Sequence, residues 1–185
     1  MAYKVLGLCG SLRQKSFNRY TLRAAGELMP EGLSFEAADL PDLPLYNQDI
    51  QDRGFPEALA PFAEKIAQAD ALLIASPEYN HSLPAVLKNS IDWLSRLPKP
   101  LFQGKPVAIV SASPGLLGGA RMQYDLRRIL GQLGAMILSR PEVFINLAAS
   151  KFGVDGRLTD EATRKMIAAQ LVAFADWIAR VKKMG

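Results

Sequence analysis

V-L-G-L-C-G-S-L-R-Q-K-S-F-N, residues 5–18, is the stretch that decides the fold. It begins as a short apolar run, breaks at Gly10 and passes through hydroxyl and cationic side chains into a helical pattern. The start of that helix leaves unpaired backbone N–H groups and the positive end of its dipole beside these side chains. A turn of this kind between a buried strand and a helix is typical of a phosphate site.

The first loop offers a donor set that suits a phosphate. Ser11, Ser16 and Asn18 supply uncharged donors. Arg13 adds a charged fork, and the backbone N–H groups of residues 12–17 can line the site. The same residues are also explained if Ser16 only caps the helix and Arg13 is a surface residue. The loop is neither a Walker A loop nor a G-x-G-x-x-G dinucleotide fingerprint.

Composition narrows the class of protein. With 185 residues, 49% hydrophobic and 22% charged, the chain is expected to form one domain over residues 1–185. No apolar run reaches the length of a membrane span and no signal-peptide pattern begins the sequence, so we expect a cytoplasmic protein without a membrane partner. One cysteine and one histidine leave little for a metal site. The net charge of +4 is dispersed, which favours anionic small ligands over nucleic acid.

Apolar strand patterns alternate with helical patterns five times, which predicts a parallel sheet covered on both faces. The predicted strands are residues 4–9, 33–39, 71–76, 106–111 and one within 135–145, the last with an irregularity at Pro141. The predicted helices are residues 17–29, 56–69, 83–97, 120–133 and 159 onward. Residues 40–56 read as a long surface loop.

Two further loops follow the third and fourth strands. Strands one, three and four lie in succession around the point where the strand order of such a sheet reverses. In the second loop, residues 77–80, Tyr79 can cover a ring face and backbone N–H groups can meet ring heteroatoms. In the third, residues 111–119, glycines let a flat ring approach the backbone. Each loop alone is also explained as an ordinary turn. Together they favour a monophosphate with a flat heterocycle, and FMN fits this better than a nucleoside triphosphate.

Two motifs carry a family resemblance: G-S-L-R-x-x-S-F-N at residues 10–18 and P-E-Y-N-x-S-x-P-x-x-L-K-N-x-I-D-W at residues 77–93. They resemble the NADPH-dependent FMN reductase family, and within it the soluble quinone, chromate and azo-dye reductases. The resemblance implies a flavodoxin-like α/β fold, a doubly wound five-stranded parallel sheet in the order 2-1-3-4-5 with helices on both faces. It also implies bound FMN. The implied cofactor-binding residues are Ser11, Leu12, Arg13, Gln14, Lys15, Ser16, Phe17 and Asn18 at the ribityl phosphate, Pro77, Glu78, Tyr79 and Asn80 at the isoalloxazine, and Ser113 with Gly115 at its far edge.

The expected function is that of an FMN-dependent NAD(P)H oxidoreductase working by a ping-pong mechanism. NADPH or NADH reduces FMN and leaves, and a quinone or similar acceptor then takes two electrons in the same pocket; chromate, azo compounds and free flavin are further candidates. The cofactor supplies the chemistry, so no catalytic side chain and no metal are expected. The alternatives are a reductase that releases reduced FMN to another enzyme, a flavodoxin-type electron carrier and a nucleotide-binding transferase. The positive net charge speaks against the carrier.

The predicted helix over residues 83–97 is apolar on two sides, which indicates that it is buried twice. Its stripes are Leu87, Ile91 and Leu94 on one side and Val86, Trp93 and Leu97 on the other. Members of the resembled family are commonly dimers or tetramers, so a homodimer or homotetramer is implied, with this helix at an interface. A stripe of Arg121, Tyr124 and Arg128 is a second candidate interface, pairing with an acid such as Glu142 of another subunit.

Overall fold

Strands and helices alternate along most of residues 2–184, the part of the chain that the computed structural model describes. In chain order they are β1 (Tyr3–Cys9), α1 (Phe17–Glu27), β2 (Leu33–Ala38), α2 (Gln48–Gln51), α3 (Leu59–Gln68), β3 (Ala71–Ala75), α4 (Ala85–Leu94), β4 (Pro106–Ala112), α5 (Ala120–Gln132), β5 (Met136–Ile137), β6 (Val143–Ile145) and α6 (Glu161–Met184). The short helix α2 lies within residues 40–56, for which the sequence predicted only loop. Among the described residues no helix is long and apolar enough to cross a membrane.

The strands form one parallel sheet in the order β2-β1-β3-β4-β5, which confirms the flavodoxin-like prediction. β3 and β4 are buried along their whole length, as central strands of a sheet covered on both faces should be. The register pairs Cys9 with Ala75 and Ala75 with Val110. The loops after β1, β3 and β4 therefore leave the sheet at the same edge.

The sequence predicted a single fifth strand within residues 135–145, whereas the structure has two short strands there. β5 and β6 are separate, and both pair in parallel with β4. Pro141 lies between them, and because proline has no backbone N–H it interrupts the hydrogen bonds of a strand ladder.

Alternate side chains of each central strand pack on opposite faces of the sheet. Leu72 and Ile74 pack with α3, α4 and α5, whereas Leu73 and Ala75 pack with α1 and α6. The predicted core stripe of the last helix, Ile167, Leu171, Phe174, Ile178 and Val181, is buried. Several helices are shorter than predicted. For example, α1 ends at Glu27 and not at residue 29.

The second apolar side of α4 is covered by the chain itself. Trp93 is completely buried, its indole N–H donates to the Pro44 carbonyl at 2.8 Å, and Tyr46 packs edge-on against its ring. Asn89 fastens the same loop, because its side chain accepts from the Tyr46 N–H at 2.8 Å. Trp93 thus needs no partner subunit for its burial. A homodimer or homotetramer stays a prediction.

Candidate functional site

The loops after β1, β3 and β4 meet around a cavity of about 250 Å³. Its lining residues are Ser11, Arg13, Ser16, Phe17 and Asn18 of the first loop, Pro77, Glu78 and Tyr79 of the second, and Ala112, Ser113 and Pro114 of the third. Of the remaining predicted residues, Leu12, Gln14, Lys15, Asn80 and Gly115 lie exposed in the same loops outside this lining. The structure thus brings the three predicted segments together.

A larger cavity of about 570 Å³ lies between α1 and β2, with Cys9, Leu22 and Phe35 in its wall. Its wall contains charged residues of both signs, including the ion pair of Arg19 with Asp39. The cavity therefore does not offer a site lined by charges of one sign. Burial raises the pKa of the Cys9 thiol, which keeps it protonated and unreactive. Donor chemistry therefore identifies the smaller cavity as the candidate site.

The first loop leaves donors free at the start of α1. Ser16 is the N-cap, its Oγ accepting from the Asn18 N–H at 3.3 Å. Within residues 2–184, the backbone N–H groups of Leu12, Gln14, Lys15 and Phe17 have no hydrogen-bond acceptor. The first turn of α1 also has no acidic residue to complement its dipole.

Two exposed cations, Arg13 and Lys15, flank this helix start. Neither forms an ion pair with any carboxylate of the described chain. Free N–H groups, a positive helix end and two free cations are the donor set that binds a phosphate, so these residues fit the phosphate end of FMN.

Asn18 has a different role from the predicted phosphate donor. Its side-chain oxygen accepts from the Ala112 N–H at 2.8 Å, and its Nδ2 donates to the Ala112 carbonyl at 2.9 Å. The residue is only 2% exposed. The amide therefore fastens the start of α1 to the end of β4, which joins the first loop to the third.

The second loop contains a tight turn over residues 79–82, which we call the Tyr79 turn. Tyr79 and Ser82 exchange backbone hydrogen bonds of 3.0 Å in both directions. Asn80 and His81 between them have left-handed φ values of 50° and 67°, the pattern of a type I′ turn. The turn presents Tyr79 with 48% of its surface exposed.

Ser82 contacts α5 and does not cap the helix that follows it. Its hydroxyl donates to Oδ2 of Asp125 on α5 at 2.7 Å, while α4 begins after Pro84 without a side-chain cap.

The Glu78 carboxylate caps the start of α5. Its Oε2 accepts from the N–H groups of Arg121 at 3.0 Å and Met122 at 3.3 Å. Gly119, the N-cap residue of α5, has no side chain that could do this. Because an internal carboxylate already occupies the first turn of α5, the start of α1 is the better place for an external anion.

The glycines of the third loop serve two purposes. Gly118 and Gly119 have left-handed φ values of 60° and 89°, and an added Cβ would lie 2.8 Å from backbone of Phe144 and from Ser111 Cβ, respectively. These two glycines are needed for close packing within the chain. Gly115 differs, since its added Cβ would meet nothing closer than Ser113 Oγ at 3.6 Å, which leaves space beside the cavity.

Sequence reasoning missed two residues that support the third loop. Ser111 donates to the Gly118 carbonyl at 2.6 Å and accepts from Gln123 Nε2 at 2.8 Å. Gln123 is completely buried and also donates to the Val143 carbonyl. A glutamine inside the apolar stripe of a helix was the available signal, but its burial depends on β6, which the sequence did not define.

The polar stripe on α5 pairs within its own chain. Arg121 lies 3.4 Å from Glu78, Arg128 lies 3.3 Å from Asp125, and Glu142 lies 3.6 Å from Arg127. Glu142 therefore has an intrachain cation beside it, and its pairing with another subunit stays a prediction.

Comparison with known proteins gives a consistent result. The family model described as NADPH-dependent FMN reductase matches residues 3–150. The chain is 49% identical to an NAD(P)H-dependent FMN reductase of Pseudomonas aeruginosa and 43% identical to a quinone reductase of Escherichia coli K12, each over 97% of both chains. Among solved structures, the NAD(P)H:acceptor oxidoreductase FerB of Paracoccus denitrificans aligns with a TM-score of 0.87 at 36% identity, covering 97% of this chain and 98% of FerB. The chain belongs to the NADPH-dependent FMN reductase family, a family of oxidoreductases that use FMN and NAD(P)H.

Proposed function

We propose that this protein is an FMN-dependent NAD(P)H:quinone oxidoreductase that works by a ping-pong mechanism. The observation that carries the proposal is the set of unpaired N–H groups at the start of α1, in the same cavity as the Tyr79 turn and the third loop. A phosphate site next to an aromatic side chain and a glycine-containing loop suits one flavin mononucleotide.

The proposed FMN site comprises residues that contact the cofactor and residues that hold its loops in place: Ser11, Leu12, Arg13, Gln14, Lys15, Ser16, Phe17, Asn18, Pro77, Glu78, Tyr79, Asn80, Ser113 and Gly115. Bound FMN would accept two electrons from a reduced nicotinamide and pass them to the second substrate. The first loop binds the phosphate through main-chain N–H groups, and Arg13 and Lys15 balance its charge. Tyr79 covers part of the ring, and Asn18 and Glu78 hold the loops in position. No side chain is assigned a proton-transfer role.

Quinones are the proposed acceptors because relatives at 43% and 41% identity, from Escherichia coli and Pseudomonas putida, are named quinone reductases. The cavity is open to solvent beside the exposed Tyr79 ring, so donor and acceptor can occupy the same face in turn. Chromate, azo compounds and free flavin are further acceptors to compare.

Anaerobic spectroscopy and steady-state kinetics test this proposal. The purified protein with FMN should show a flavin spectrum that NADH or NADPH bleaches and that a quinone restores. Initial rates at several quinone concentrations should give parallel double-reciprocal lines. A protein that does not bind added FMN would refute the proposal. Intersecting lines in the double-reciprocal plot would refute only the ping-pong mechanism.

Two other functions within redox chemistry give different results in the same experiments. A reductase that supplies reduced flavin to a partner would lose FMN during gel filtration, whereas retention is expected here. A flavodoxin-type carrier would hold FMN without oxidising NAD(P)H. The cytoplasmic location and the single domain expected from the sequence stay predictions.

A further inference from the structure

We propose that Glu78 and Ser82 are positioning residues that hold the Tyr79 turn against α5 and so set the orientation of the ring face of the site. The inference rests on the proposed function, because it concerns how the residues beside the flavin are kept in place. It assigns to these two side chains a role other than direct contact with FMN.

Glu78 supplies the first contact, immediately before the turn. Its side chain is 13% exposed, and one carboxylate oxygen accepts from two successive N–H groups of α5. Its other oxygen lies 3.4 Å from the Arg121 guanidinium. A carboxylate at a helix start gains from both hydrogen bonds and the helix dipole, so this contact is strong for a partly exposed group.

Ser82 supplies the second contact, at the other end of the turn. Its hydroxyl donates to Asp125, which is itself 3.3 Å from Arg128. Asp125 lies three to four residues after the N–H groups that Glu78 contacts, which is one helical turn further along the same face of α5. Because the two contacts lie one helical turn apart on α5, they fix the orientation of the Tyr79 turn as well as its position.

The conformation of the turn explains why it needs this support. Asn80 and His81 are both left-handed, and such conformations of residues other than glycine are unfavourable unless the surrounding structure holds them. The contacts also join two loops, since the third loop ends where α5 begins. Loss of Glu78 should therefore displace both the Tyr79 turn and the third loop at the ring side of the cavity.

The test compares wild type with E78A, E78Q and S82A. The control is E64Q, which changes an exposed carboxylate on α3 whose side chain hydrogen-bonds only to Gln68 among the described residues. Each protein is prepared as the FMN-bound enzyme. Three quantities are measured: the dissociation constant of FMN, the visible circular dichroism of the bound flavin, and kcat and KM for a quinone. The circular dichroism and the KM report the surroundings of the ring, which a loss of overall stability alone would leave unchanged in the folded, FMN-bound fraction.

We expect E78A to weaken FMN binding at least tenfold, to change the flavin circular dichroism and to raise the quinone KM more than it lowers kcat. E78Q keeps one acceptor oxygen and should recover most of the affinity, while S82A should show a smaller change of the same kind. If E78A does not fold, E78Q and S82A decide the question.

Values for E78A and S82A within twofold of wild type and E64Q, with an unchanged flavin spectrum, would overturn the positioning role and leave the proposed function intact. When E78A does not fold, wild-type values for both E78Q and S82A overturn it in the same way. A wild-type protein that binds no FMN would instead overturn the proposed function, and this inference with it.

Discussion

At the scale of single residues, Asn18 shows how one side chain can join two parts of a site. Its amide makes a reciprocal pair of hydrogen bonds with the backbone of Ala112, and both partners are buried. Removal of the amide would leave a buried N–H and a buried carbonyl without partners, which is more costly than the loss of two exposed hydrogen bonds.

Asn18→Ala is therefore expected to lower the free energy of unfolding by about 2–4 kcal/mol. Urea unfolding followed by circular dichroism measures this. Gln14→Ala is the matched control, because Gln14 is an exposed amide in the same loop and should change stability by less than about 0.5 kcal/mol. Equal, small effects of both substitutions would mean that the Ala112 contact contributes little.

Arg13 belongs to the phosphate end of the proposed site, so its effect should depend on the phosphate. We expect Arg13→Ala to weaken FMN binding about tenfold, since a hydrogen bond to a charged group contributes about 1.5 kcal/mol. Riboflavin, which lacks the phosphate, should bind both proteins equally. Fluorescence titration measures both affinities, with Arg53→Ala, an exposed arginine without an ion pair in the described chain, as the control. An equal loss for FMN and riboflavin would place Arg13 away from the phosphate.

At the scale of elements, α4 is covered on one side by the sheet and on the other by residues 43–46. The Trp93 indole contributes both a hydrogen bond to Pro44 and the edge-on contact with Tyr46. These contacts lie within one chain, so their loss should act on folding and leave any association of chains unaffected.

Trp93→Phe should lower the free energy of unfolding by about 1–3 kcal/mol, because the Pro44 carbonyl loses its donor and the smaller ring leaves a cavity. The loss should be the same at several protein concentrations when measured by urea unfolding. A loss that grows on dilution, together with a smaller particle by light scattering, would instead place Trp93 at a subunit interface.

The end of α6 is fastened to the sheet by Asp70. Its carboxylate lies 2.6 Å from Lys182 Nζ and accepts from the Lys4 N–H at 2.9 Å. Burial raises the pKa of Asp70, but the hydrogen bonds from Lys182 and Lys4 outweigh burial and hold the pKa below its ordinary value of 3.8. A carboxyl with a depressed pKa stabilises the folded state above its ordinary pKa, and this stabilisation is lost as the pH falls below it.

Asp70→Asn should therefore cost stability at pH 7 and have a progressively smaller effect as the pH falls below about 3.8. The cost at pH 7 should be about 1 kcal/mol or less, because both side chains are partly exposed. Urea unfolding of both proteins across this pH range measures the difference. A cost that does not change with pH would show that the charge of Asp70 is not responsible.

At the scale of the whole molecule, the family resemblance implied the strand order, strand-end chemistry predicted the meeting of three loops, and periodicity predicted a parallel sheet covered on both faces. The buried runs of β1, β3 and β4 carry that information directly, since central parallel strands are continuously apolar. The individual roles within the loops were less accessible. Glu78 and Asn18 are polar residues in candidate loops, and only the positions of α5 and β4 show that their side chains face the protein and hold it together.

The sequence did not predict the short helix within residues 40–56 or the division of the last strand around Pro141. A single-turn helix such as α2 has too few residues for a periodic pattern, and the division of the last strand depends on pairing with β4 along both parts. Both features are set by contacts distant in sequence.

A crystal structure of the protein saturated with FMN tests the central claim most directly. The phosphate should lie within hydrogen-bond distance of the backbone N–H groups of residues 12–17 at the start of α1, with the isoalloxazine between the Tyr79 turn and the third loop. FMN bound in the cavity between α1 and β2, or with its phosphate at the start of α5 in place of the Glu78 carboxylate, would contradict the account.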